Sequence, residues 1–495
     1  MRFFTASNME VSVLYPIMLM LMLLVSQHDA KTIKTKVVVL GGGVAGVIAA
    51  RTLYENGIKD FVLVEAESDL GGRMKHTKFA GYTVELGANW IQGTMNTATH
   101  KENPIWMLTK KYNLLNVASN LDDLSTYDQN GYTDYRDVQK RYDDIFAKVL
   151  ADAETRLKRN LIDLSFDEGQ CLNAWKAQTP QEKVAELFTF DFEYADTPAA
   201  SSMIEAAVNY NETYIQWNED DFFCIDQRGF NVLVRNEAKT FSTNENIMYN
   251  SIVKKVSYCD KSVVILLKDN TVITAEYAIC TFSLGVLQNQ DVEFVPPFSA
   301  WKQEAISSFK MATFTKIFLK FPYKFWNNTQ FTLYADSCTR GYYSIWQSLS
   351  EVGFFPNSNI TYVTIVGDQS YFVEAKSNNQ TLNEIMSVLR SMYGRNVPQP
   401  DEFYYYRWTK DPFYRGSYSN WPAGVSQCQH KNLQAPIQRL YFAGEAYSYE
   451  YYGFLQGAYT TGQNTAEAVI RRIQGKCRLA SAANHQEYSC SRQKP

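Results

Sequence analysis

Three groups of residues in this 495-residue chain have the types and spacing to do chemistry. The first is Lys36-Val37-Val38-Val39-Leu40-Gly41-Gly42-Gly43-Val44-Ala45-Gly46, an apolar run that breaks into glycines and resumes as a helical run from Val47 to Leu53. Gly41 permits a tight turn, Gly43 lets the backbone approach a pyrophosphate, and Gly46 lets the helix pack closely on the strand. The N–H groups and positive dipole end around Val44 and Ala45 then face the phosphates. The second group is Glu65, 19 residues beyond Gly46 at the end of Phe61-Val62-Leu63-Val64, followed by the glycine turn Gly71-Gly72-Arg73. A carboxylate there accepts hydrogen bonds from ribose hydroxyls, so the two groups together imply a bound dinucleotide. The third is Lys316, in the apolar strand run Thr315–Phe321. A lysine so placed is ordinarily a snorkelling edge residue, and an electrostatic role needs a partner that the run itself does not name.

These groups need strands and helices to hold them. Tyr82–Leu86 reads as a short strand ending in the turn Gly87-Ala88-Asn89-Trp90, and residues 134–190 are polar and helix-periodic through Val138, Tyr142, Ile145 and Val149. Strand patterns return at Phe222–Ile225, Val253–Val256, Val263–Leu267 and Tyr277–Cys280, with a hairpin signal at Lys268-Asp269-Asn270. Further strands are expected at Thr315–Lys320 and Tyr362–Val366, a helix from about Gln380 to Tyr393, and a last strand at Leu440–Ala443. Gly457-Ala458-Tyr459-Thr460-Thr461-Gly462 reads as a turn that opens a final helix to about Gln474. The alternation implies an α/β fold: a discontinuous Rossmann-like nucleotide domain with an inserted α+β substrate domain. The expected division is a leader over 1–30, nucleotide-domain parts over 31–120, 223–310 and 406–476, substrate-domain parts over 121–222 (helical) and 311–405 (sheet plus helix), and a tail over 477–495.

The leader has Arg2, an almost wholly apolar stretch from Val11 to Val25, then polar residues and Ala30. Fifteen apolar residues are short of the roughly twenty that span a bilayer, so a removable export signal is expected, with an uncleaved anchor as the alternative. The sequons at Asn211, Asn327, Asn359 and Asn379 agree with a secreted glycoprotein. A net charge of −4 without a basic block argues against nucleic acid. Eight cysteines without a CxxC pair, and only five histidines, argue against a metal site; Cys224 and Cys280 lie in apolar runs and read as buried thiols. Aromatic residues are abundant, at 33 Tyr, 29 Phe and 9 Trp, and cluster at 404–421 and 447–459. Most belong to packing, and a minority line a substrate passage.

These motifs resemble the flavin amine oxidase family, and within it the exported polyamine oxidases known best from plants. The likeness rests on the glycine run, Glu65-Ala66, Gly71-Gly72-Arg73, Gly87-Ala88-Asn89-Trp90, Asp226-Gln227-Arg228-Gly229, Ser283-Leu284-Gly285-Val286-Leu287, Thr315–Phe321, Ser419-Asn420-Trp421-Pro422 and Phe442-Ala443-Gly444-Glu445. It implies FAD, with Glu65 on the adenosine ribose, Arg73 along the pyrophosphate, Val253 at the adenine, and Glu445 on the ribityl and phosphate part. Gly453, Phe454 and Leu455 would border the isoalloxazine, with Gly87, Ala88, Asn89, Trp90, Trp408 and Tyr414 also on the cofactor. No cysteine lies between Cys428 and Cys477, so the flavin is expected to be noncovalent.

The resemblance also implies that Lys316 stands by flavin N5 and holds a water there. A cation at that point favours charge developing as hydride arrives and as oxygen is reduced. Spermine or spermidine would lose hydride from a carbon next to a secondary amine, the imine would hydrolyse, and O₂ would leave as H₂O₂. Tyr418 and Phe454 match an aromatic sandwich for the substrate, Phe314 a pocket wall, and Glu193 an acid in the substrate tunnel. Gln92 falls where the plant enzymes carry the tunnel's other acid, which leaves open the preferred polyamine and the carbon oxidised. Two alternatives stay open: an L-amino-acid oxidase, with Arg415 or Arg228 for the carboxylate, and a flavin-binding protein without turnover.

Overall fold

The computed structural model describes residues 31–475 apart from 219 and 243–245. The expected leader, Cys477, Cys490 and the tail lie outside the described residues. Strand β1 (Thr32–Leu40), helix α1 (Val44–Glu55) and strand β2 (Phe61–Val64) form the expected strand–turn–helix–strand unit. β1 runs parallel to β2 on one side and to Val272–Cys280 on the other, at the centre of a sheet whose path has seven strands. Leu440–Phe442 adds an eighth, parallel to the end of Val272–Cys280. Burial on both faces explains the nearly unbroken apolar runs of β1 and β2. Lys268-Asp269-Asn270 does join antiparallel strands, Val263–Leu267 and Val272–Cys280, with Asn270 at φ +69°.

Helix α2 (Met203–Thr213) packs with the long helix Arg136–Lys158 around Tyr142, Phe146, Val149, Phe166 and Phe190. A separate three-stranded sheet has β3 (Trp90–Gln92) and Asn116–Ala118 flanking β4 (Asp221–Cys224), both antiparallel to it. The second large sheet has seven strands, and β5 (Phe314–Lys320) lies inside it, between β6 (Ile360–Val366) and Glu402–Tyr405. Lys316 therefore cannot snorkel from a sheet edge; it is paired on an interior strand opposite Thr364.

One sequence expectation is corrected. Gly457–Gly462 is no turn but part of helix α3 (Leu455–Ile473). A Cβ on Gly457 would stand 2.1 Å from the Tyr451 carbonyl oxygen, and one on Gly462 would stand 2.4 Å from the Ala45 carbonyl oxygen. Gly457 admits the loop that leads into α3, and Gly462 serves the close crossing of α3 with α1, which presses the final helix onto the nucleotide turn. Among the described residues, no helix is long and apolar enough to cross a membrane.

Candidate functional site

The glycine turn is shaped for a ligand. Gly41 has φ +106°, and a Cβ on Gly46 would collide with the Gly41 carbonyl oxygen at 1.9 Å, so only glycine closes this corner. Gly46 accordingly sits behind the turn and lines no cavity; its task is packing. Gly43 differs: a Cβ there would meet no atom nearer than 4.0 Å and would intrude into the cavity instead. Gly43 is also the N-cap of α1, and no side chain caps it, which leaves the helix end to a phosphate. Glu65 closes the corner by accepting from the Gly42 and Glu67 N–H groups, both at 2.7 Å. Burial pushes its carboxyl upward, and those backbone donors oppose the rise.

From this turn a single cavity of about 360 Å³ extends past Arg73, Val253, Glu445 and Leu455 to Lys316, and on to Gln92, Glu193 and Asp221. Val44, Ala45, Gly87, Ala88, Asn89, Trp90, Trp408, Tyr414, Gly453, Phe454, Phe314 and Tyr418 also border it. The fold thus gathers onto one surface every predicted site residue except Gly46. Glu445 is a hub: one oxygen accepts from Arg73 Nη1 at 2.7 Å, the other from Gly453 N at 2.8 Å and from the Ser419 hydroxyl. Its carboxylate thereby ties three segments remote in sequence around the cavity. Tyr414 donates to Glu67, and its ring meets the buried Trp408 edge to face at 5.4 Å.

Lys316 is 3% exposed. Its ammonium donates to Gly87 O and Asn89 Oδ1, both at 2.6 Å, and to Glu85 O at 3.2 Å, with the Trp90 ring centre 5.4 Å away. Three acceptors suit an ammonium, while burial pulls its pKa down to about 7 against the pull of Glu85. Gly87 must be glycine here, because a Cβ would stand 1.8 Å from the Arg73 carbonyl oxygen. Behind the lysine, the Glu85 carboxyl is buried and raised to about 8 by that burial. It accepts from Phe230 N at 2.7 Å and borders a second small cavity of about 10 Å³ with Asn89, Cys224 and Tyr362, room for about one water. Sequence reading passed over Glu85, because an acid at a strand end looks solvated.

The far wall is aromatic and acidic. Leu187–Asp191 forms a π-helical turn directly before Phe192 and Glu193, held by Arg340, which donates to Asp191 and Glu186, each with a contact at 2.8 Å. Such a widened turn shifts the facing of the residues that follow. Glu193 borders the cavity rather than bulk solvent, and burial raises its carboxyl to about 7 while a bond from Tyr214 lowers it. Tyr418 donates to the Glu193 carbonyl oxygen at 2.9 Å, and Phe314 lies 5.4 Å from Phe192 and 6.2 Å from Tyr418. Tyr214 packs edge-on to Phe454 at 6.2 Å and receives a 3.4 Å bond from Gln92 Nε2. The arginines weighed for a substrate carboxylate are elsewhere: Arg228 pairs with Asp226, Arg415 pairs with Asp291, and neither borders the cavity.

Residues 44–470 match the family model of flavin containing amine oxidoreductases. The chain belongs to this family. It is a flavin-containing amine oxidoreductase, and FAD is the cofactor for which the glycine turn, Glu65 and the long cavity are fitted. It is 36% identical over 485 residues to polyamine oxidase 1 of Zea mays, covering 92% of this chain and 95% of the relative. It is 36% identical over 460 residues to polyamine oxidase 7 of Oryza sativa subsp. japonica, covering 88% and 94%. Among solved structures, putrescine oxidase bound to putrescine superposes with a TM-score of 0.72 at 15% identity, over 89% of this chain and 100% of that one, a likeness of fold.

Proposed function

We propose that this amine oxidoreductase is a polyamine oxidase acting on the carbon beside a secondary amine of spermine or spermidine. Bound FAD supplies the hydride acceptor and the path of electrons to O₂, which leaves as H₂O₂. The observation that carries the reading is the cavity itself, which joins the nucleotide turn to Lys316 and ends at the Glu193 carboxyl among aromatic rings. A polycation fits that end; an α-amino acid does not, since the cations on the described lining are Arg73, Lys268 and Lys316, and none lies beside Glu193. The two plant relatives named polyamine oxidases support the same substrate class.

The chain's residues divide the work. Tyr418, Phe314 and Phe454 confine a flexible methylene chain, which lowers the entropy lost on reaching a reactive pose. Glu193, whose carboxyl burial raises to about 7, faces the substrate ammonium, and a cation beside it favours its ionised form. Lys316 offers a cation where negative charge develops, and Asn89 with Gly87 fixes its direction. No cysteine borders the cavity among the described residues, which supports noncovalent flavin. Flavin released by acid or heat fits this; flavin kept by the denatured polypeptide rejects it.

We further propose passage through the secretory route. Asn327 and Asn379 are exposed, Asn211 and Asn359 half-buried, so the first two suit glycan attachment better. Cys428 is held in a disulfide, in keeping with an oxidising compartment. Oxygen uptake with spermine, spermidine, N-acetylated polyamines and L-amino acids tests the activity. Uptake with amino acids alone, or with none of them, overturns it.

A further inference from the structure

The carboxylate missing at Gln92 has a replacement that only strand pairing brings to the spot. β3 and β4 are antiparallel, and Gln92 lies directly opposite Asp221. Residues so opposed project to the same face of a sheet with Cβ atoms about 4.5–5.5 Å apart. Both border the cavity. The register is pinned at this end, since Gly93 N donates to Asp220 O at 2.7 Å and Ser119 N to Asp221 O at 2.8 Å. We propose that Asp221 is the tunnel's second anionic residue, and that Glu193 and Asp221 together set the preference for a substrate with a distal ammonium.

Tyr214 marks where the two charges meet. Its hydroxyl bonds Glu193 and receives Gln92 Nε2, and burial first, then the negative charges of Glu193 and Asp221, raise its pKa. Two carboxylates therefore act on one phenol, with the neutral amide of Gln92 beside them. The neutrality has a reason of its own. An acid at 92 would face Asp221 as a like-charged cross-strand pair, which is destabilising. An acid at 221 opposite a neutral residue at 92 keeps one negative charge on this wall without a like-charged pair.

This inference rests on the polyamine reading, and the two can fail separately. The holoenzyme is assayed with spermine for KM and kcat, and an α,ω-diamine and the n-alkylamine of equal length are titrated by the change in flavin absorbance. Asp221→Asn is expected to raise KM for spermine and Kd for the diamine about tenfold, with smaller change in kcat and less than twofold change in Kd for the alkylamine. Asp221→Glu should keep the diamine preference, and the double variant Asp221→Asn/Gln92→Glu should recover it. Raising the salt from 50 to 500 mM should erode the preference of the wild type more than that of Asp221→Asn. Equal loss for diamine and alkylamine, no loss for either, or no recovery in the double variant would overturn the role of Asp221. Absence of oxygen uptake with any polyamine would instead sink the substrate reading, while the diamine-to-alkylamine ratio still decides on Asp221.

Discussion

Two lysines of this protein are buried to nearly the same degree and do opposite things. Lys302 is fully buried, and Lys316 is 3% exposed. Each donates to three oxygens. Those of Lys302 are the carbonyls of Asn432, Leu433 and Ala435, at the C-terminal end of the helix Gln427–Gln434, and the Phe442 ring centre lies 3.9 Å away. The helix-end carbonyls and the ring face take up its N–H donors, and Lys302 lines neither of the two cavities described above. Burial drives its pKa well below the ordinary value, opposed by the neighbouring Cys280. The acceptors of Lys316 belong to the loop of residues 85–89, which borders the large cavity. A lysine whose three N–H donors are spent on a helix end away from the cavity is structural; one that titrates near neutrality beside the cavity is available for chemistry.

The largest effect expected from this contrast is on turnover. Lys316→Met should slow flavin reduction and reoxidation by about 10²–10³, the usual cost of losing one preorganised electrostatic group, with flavin content preserved. Stopped-flow traces within a few-fold of wild type would erase the distinction between the lysines. Lys302→Met should do the reverse. It orphans the helix-end carbonyls, at about 1–3 kcal/mol for a buried unsatisfied group, so about 2–4 kcal/mol should be lost in chemical denaturation while kcat per bound flavin holds. A stable but inactive Lys302→Met would contradict the assignment.

Titration sharpens the comparison. The Lys316 cation is present below about pH 7 and is lost as pH rises through it. Reoxidation of pre-reduced enzyme by O₂ should therefore fall above pH 7 in wild type and stay flat in Lys316→Met. A rate that climbs from pH 6 to 9 would refute this. The smallest expected effect lies one layer behind. Glu85 raises the pKa of Lys316 through its charge, but burial holds its own carboxyl near 8 and mostly neutral at the break, so Glu85→Gln should move the break in that profile to lower pH by less than about half a unit. Movement to higher pH would mean that Glu85 does not act on Lys316 through charge.

Much of the nucleotide half was legible because its signals are local. A glycine turn, the helix after it and an acid ending the next strand are read within about thirty residues, and each has one cheap backbone solution. The misreading of Gly457–Gly462 comes from the same habit. Glycine spacing suggests a turn, whereas here Gly462 lacks a side chain to admit the α1 backbone, a fact that lies over 400 residues away in the chain. Glu85, Tyr214 and Asp221 were passed over for a related reason. An acid or a tyrosine in a short strand or at a helix end carries no local mark of which face it presents.

By itself, the amino-acid sequence determined the dinucleotide turn and the α/β class, because short-range sterics and apolar patterning specify them, while the residues around Lys316 and Glu193 were named only through the resemblance to a family. The tertiary structure alone decided which lysine faces the cavity, that Glu445 binds three segments together, and that Asp221 stands across from Gln92. Strand register and burial settle such matters. Both arise from pairing between distant parts of the chain, where a shift of one residue turns a side chain to the opposite face.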